Sequence, residues 1–127
     1  VATGDLLVLP TPYGHGCYPG DWIQTLGKLM AIDAAAIVPG HGPVLHDWSY
    51  AGKLVRLLEA LRAEVGEQVR AGATLEQTRE KVTLERFVPE FAGDDPARIY
   101  AFRAFFVPPA VDRAYQEAKG RFAPEGS

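Results

Sequence analysis

The sequence predicts an α/β chain that opens with a strand–helix–strand unit and continues as a mostly helical extension. Short apolar runs at residues 1–4 and 34–38 flank a segment with helical spacing of apolar side chains. A stretch rich in proline and glycine separates the first run from that segment, and after residue 47 apolar residues again recur at helical intervals. Three parts follow: a βαβ unit over residues 1–47, a helical extension over 48–120, and a loose tail over 121–127.

Val1 to Gly4 reads as a strand ending at Asp5, with Leu6 to Leu9 continuing it as an extended edge. Pro10, Pro12, Gly14, Gly16, Pro19 and Gly20 make the next stretch a loop by backbone chemistry alone. Asp21 is placed to cap a helix running through Ala31, with Ile23, Leu26, Leu29 and Met30 on one face. Ala34 to Val38 forms a second short strand, stopped by Pro39 and Gly40. Strands joined in this way are parallel, with a right-handed crossover. That arrangement brings Asp5 and His41 to the same edge of the sheet, where ligands of open α/β sheets bind.

From Ser49 to about Ala71, Leu54, Leu57, Leu58, Leu61, Val65 and Val69 keep helical spacing, with charged residues over much of the remaining surface. Gly72 ends this amphipathic helix. Thr74-Leu75-Glu76-Gln77 is a capping box that opens a short helix to about Val82. Asp95-Pro96 starts another helix, since proline suits the first helical position and aspartate the cap. Its face carries Ile99, Phe102, Phe105 and Phe106, an aromatic stripe read as core. Pro108-Pro109 is expected to interrupt the helix, which resumes from Ala110 to Lys119 and stops at Gly120.

Thirteen basic against sixteen acidic residues leave a net charge of −3. Such a balance provides no electrostatic footprint for nucleic acid or for an anionic membrane surface. No apolar run approaches the roughly 18 residues of a membrane span. Cys17 is the only cysteine, which excludes an internal disulfide and leaves the compartment open. No stretch reads as a signal peptide, and the start at Val1 inside a strand-like run predicts a chain cut from something longer.

The chemistry concentrates on Asp5 and His41. A carboxylate at the end of a buried strand is costly unless a positive charge compensates it, and a divalent metal does so well. Pro39-Gly40-His41-Gly42-Pro43 places an imidazole on a turn whose direction is set by glycines and prolines. An acid and an imidazole at neighbouring strand ends can converge on one metal.

Thr3-Gly4-Asp5 together with Pro39-Gly40-His41-Gly42-Pro43 resembles the last two metal-ligand motifs of the metallo-β-lactamase fold hydrolases. The likeness spans roughly residues 1 to 60. It implies the βαβ portion of an αββα sandwich, with Asp5 as the carboxylate bridging two Zn2+ ions and His41 as a terminal ligand of the second. An aspartate at the bridging position is similar to the glyoxalase II and lactonase branches rather than to the true β-lactamases. In the intact family a metal-bound hydroxide attacks an ester, thioester, lactone or amide carbonyl of a small-molecule substrate. The first motif of that family, H-x-H-x-D-H, is absent here, as is the lone histidine between the motifs. His15 and His46 do not replace them.

The sequence therefore reads as the C-terminal half of such a hydrolase, inactive alone, with metal weak or absent in the isolated chain. Tyr13, His15, Cys17, Tyr18 and Trp22 are candidate substrate-pocket residues, loop packing being the competing explanation. No partner pattern supports Cys17 as a nucleophile. A sheet lacking its facing half leaves an apolar surface bare, so self-association or pairing with a separate N-terminal half is expected. The alternative is a non-catalytic helical interaction or oligomerisation module in which the βαβ start is a remnant.

Overall fold

In a computed structural model of the chain, residues 2–8, 18–33 and 35–120 are described, with only the backbone of Gly4, Asp5, Leu6, Val8 and His41. Strand β1 (Ala2–Val8) precedes helix α1 (Pro19–Met30) and strand β2 (Val38–His41). Helix α2 (Ser49–Arg70), helix α3 (Leu75–Lys81), a 3₁₀ turn at Glu85–Phe87 and the single turn α4 (Val88–Phe91) follow. Helix α5 (Pro96–Ala101) then runs through a π-helical turn (Phe102–Phe106) into α6 (Val107–Ala118). The βαβ opening is present, and β1 pairs with β2 in parallel. Most of the described chain is helical, however, and a two-stranded sheet does not by itself make two facing sheets.

Helix α2 is the axis of the molecule because its apolar spacing produces one continuous stripe. Leu54, Leu57, Leu58, Leu61 and Val65 are fully buried, and α1 and α6 pack against that stripe. Each such side chain contributes about 1.5–3 kcal/mol on leaving water. The helix ends as its sequence anticipates. Gly72 adopts a φ of +83°, its N–H donates to Val69 O, and Ala73 N–H donates to Gln68 O. Those two bonds form a Schellman motif that satisfies the last carbonyls.

The capping box of α3 also forms. Gln77 N–H donates to Thr74 Oγ1 at 3.1 Å, and Thr74 N–H donates to Gln77 Oε1 at 2.9 Å. Asp95 caps α5 by accepting from Ala97 N–H at 3.0 Å. Arg79 meets Asp112 through two 2.8 Å hydrogen bonds and so ties α3 to α6. Tyr115 Oη donates to Ala73 O at 2.9 Å beside the end of α2.

Several expectations are corrected. Asp21 lies in the first turn of α1 rather than at its cap, because Pro19 at the first helical position starts the helix three residues earlier, with Tyr18 at the cap. The second strand begins at Val38 and runs through Pro39 and Gly40 to His41, while Ile37 forms an isolated antiparallel bridge with Leu45. A proline is tolerated here because, among the described residues, the sheet has two strands and the pairing is irregular around it. The continuation of β1 past Asp5 that the sequence suggests is present, and the strand runs to Val8. Pro108-Pro109 does not break the last helix. Val107 N–H reaches back five residues to Phe102 O, and both prolines fall in the first turn of α6, where proline is best tolerated.

Candidate functional site

The candidate site is built on the two strands. Leu7 and Ile37 are fully buried and anchor them in the core, while Thr3 Oγ1 donates across to Val38 O at 3.4 Å. In the register, Ala2 stands opposite Val38, Gly4 opposite Pro39 and Val8 opposite His41. Four residues of β1 therefore face two of β2 across the second interval, a bulge-like irregularity that covers the position of Asp5. Asp5 thus directly follows the residue paired with Pro39, and His41 lies two residues beyond that proline. Both motif residues belong to neighbouring parallel strands, although Asp5 lies within its strand instead of at its end.

Downstream of His41 the chain turns back at Gly42, which takes a φ of +109°. Ile37 and Leu45 close this turn with reciprocal 2.8 Å backbone hydrogen bonds. The Pro-Gly-His-Gly-Pro segment is therefore held at both ends by backbone, as its glycines and prolines imply.

His46 is exposed, with its Nδ1 3.3 Å from Ala35 O. It borders a shallow cleft of about 400 Å³ together with Met30, Ile32, Asp33, Asp47 and Trp48. Trp48 Nε1 donates to Ile32 O at 3.1 Å on the same rim. The Ser49 N–H bonded to Asp47 holds that carboxyl below the usual carboxylate range. Among the described residues, no three His, Cys, Asp or Glu side chains gather where one metal ion could hold them.

The other sequence candidates separate. Tyr13, His15 and Cys17 lie outside the described residues. Tyr18 is buried; its hydroxyl donates to Gln116 Oε1 at 3.3 Å and the Arg113 guanidinium lies 5.1 Å from its ring centre. Trp22 is 4 % exposed and belongs to the main hydrophobic cluster. Both aromatic side chains fasten α1 to the helical part of the molecule.

A catalytic zinc takes three protein ligands and a water. Asp5 and His41 are two residues of types that ligate zinc, carried on adjacent strands. Sequence reasoning missed Glu117, which meets the start of α1. The only local hint is Gly20, where a side chain would collide with that carboxylate. No protein-family model matches the chain, and comparison with curated proteins returns no match.

Proposed function

We propose that the chain supplies part of the dinuclear zinc centre of a metallo-β-lactamase-like hydrolase. Asp5 is the bridging carboxylate and His41 a terminal ligand, and the other ligands come from a segment bearing the H-x-H-x-D-H motif. Its substrates are small molecules with an ester, thioester, lactone or amide bond. The observation that carries this reading is the parallel pairing of β1 and β2, since it sets the two ligand-bearing motifs side by side in one βαβ unit. The sandwich of the family is part of the proposal. Parallel sheets normally have both faces covered, and Val38, at 47 % exposure on β2, is a surface for the facing half or a second copy to cover.

Zinc titration of the chain, alone and mixed with a polypeptide carrying the missing motif, tests the reading. Alone, weak binding is expected that disappears in both Asp5→Ala and His41→Ala. The mixture should bind more tightly and begin to hydrolyse a thioester or lactone. Zinc binding indifferent to both substitutions, with no gain in the mixture, would overturn it.

One observation favours the second reading, a helical interaction module. Tyr100 and Phe105 are 64 % and 46 % exposed and form an edge-to-face pair 5.7 Å apart on α5 and the turn after it. Self-association lost in Tyr100→Ser and Phe105→Ser but untouched by Asp5→Ala would support that role.

A further inference from the structure

Among the described residues, the helix that connects β1 to β2 has no side-chain cap from its own cap position. Tyr18 occupies the cap position of α1 without a side-chain capping bond, and Pro19 follows it with no N–H. The next donor, Gly20 N–H, is the group that a cap side chain ordinarily serves. It donates instead to Glu117 Oε2 of α6 at 2.9 Å, across 97 positions of sequence. The other carboxylate oxygen, Oε1, accepts from Arg62 Nε of α2 at 2.9 Å. The Glu117 side chain is only 13 % exposed. Arg113, Gln116 and Glu117 are spaced to share one face of α6, and all three meet the first residues of α1.

We propose that α6 is a clasp on α1, with Glu117 capping the N-terminus of the crossover helix, so that the seating of α6 sets the seating of that helix. Gly20 supplies independent support. A methyl group there would fall 2.5 Å from Glu117 Oε2 and 3.2 Å from Arg62 Cζ. Glycine in a helix is otherwise a cost, being less favourable than alanine. The residue is explained by the carboxylate that must approach it. With Arg62 half exposed, its ion pair with Glu117 would add little alone; the capping bond is what gives the contact its directional role. A carboxylate at a helix N-terminus also complements the partial positive charge of that end. The clasp does not depend on the metal reading, and failure of zinc binding would leave it intact.

A double-mutant cycle on the full chain tests it, read by denaturant unfolding and by hydrogen exchange at the backbone amide of position 20. Glu117→Ala should raise exchange at that amide on the order of tenfold, the scale of a lost cap, while protection in α3 is retained. Gly20→Ala should loosen the same turn in the native background because the new methyl displaces the carboxylate. In the Glu117→Ala background the same substitution should protect the turn, since alanine is the better helix former, the carboxylate that blocked it is gone, and only the flexible end of Arg62 has to give way. Gly20→Ala with the same sign and size in both backgrounds would overturn the proposal, as would an amide indifferent to Glu117→Ala. Should Glu117→Ala fail to fold, Glu117→Gln takes its place, and its single neutral acceptor should give a smaller rise at the same amide.

Discussion

Leu84 shows how a residue's backbone and its side chain can pull in opposite directions. Its φ of +57° lies in the left-handed region, yet its side chain is 2 % exposed within the core. The backbone conformation costs roughly 1–2 kcal/mol for a residue with a Cβ, whereas burying a leucine returns about 1.5–3 kcal/mol before any cavity is counted. Burial wins, and the strain persists because the surrounding core over-determines it. A substitution series separates the two contributions. Leu84→Ala keeps the strain and loses the packing, so we expect a loss of about 2–5 kcal/mol, the range for buried leucines. Leu84→Gly loses the same packing but releases the strain. It should therefore be the more stable of the two by roughly 1 kcal/mol, the reverse of the usual order for these residues in a helix. Urea midpoints of the two variants measure the difference. An alanine variant at least as stable as the glycine variant would contradict this account.

Elements legible in the sequence are those whose signals are local. The Leu54-to-Val65 stripe, the Thr74–Gln77 box, Gly72 and Asp95-Pro96 each act within one or two turns, and each forms as read. The start of α1 escaped because its cap comes from Glu117, whose identity is invisible from residue 20. The π-turn escaped because Pro-Pro reads as a break signal, whereas here the register widens to five residues and both prolines fall in the first turn of α6. That turn also carries Phe105 out to 46 % exposure while Phe102 and Phe106 remain fully buried, so the expected aromatic stripe splits.

The π-turn is braced from outside by Arg103, whose two hydrogen bonds to Glu85 measure 2.8 and 2.6 Å. Those bonds hold the Glu85 carboxyl below its ordinary value of 4.5. A carboxylate with a depressed pKa in the folded state contributes stability above its unfolded pKa, and that contribution fades as pH falls through the folded value. Both partners are about half exposed, so the contribution is small and screened by salt. Glu85→Gln should consequently flatten the loss of stability below about pH 4.5 relative to the native chain. The difference should shrink in high salt. Parallel acid titrations of the two proteins, followed by helical circular dichroism, would show it; identical acid limbs would mean the brace contributes nothing.

At the scale of the molecule, composition changes at residue 47 but the core does not divide there. Leu7, Trp22, Leu26 and Ile37 from the βαβ part join Leu54, Leu58, Phe102 and Val111 from the helical part in one cluster. Helix α1 lies against both α2 and α6, so removing residues 1–47 would uncover the stripe that organises the helices. The composition shift is visible in a sequence because it is one-dimensional; the shared core is not, because it depends on where α1 comes to rest. The same limit applies to the candidate site. Its strands and their adjacency follow from the βαβ pattern, whereas the irregular register around Asp5 has no counterpart in residue types. If the two parts form one cooperative unit, tryptophan and backbone probes must report a single transition. Trp22 is on α1 and Trp48 lies just before α2, so fluorescence samples the junction while far-ultraviolet dichroism samples the helices. We expect coincident urea transitions for the full chain. Residues 48–120 alone should bind a hydrophobic dye, with lost side-chain ordering and retained helicity, as exposure of the α2 stripe requires. Two separated transitions in the full chain, or a sharply cooperative and dye-free 48–120 segment, would instead make the helical part an independent domain and reduce α1 to an appendage upon it.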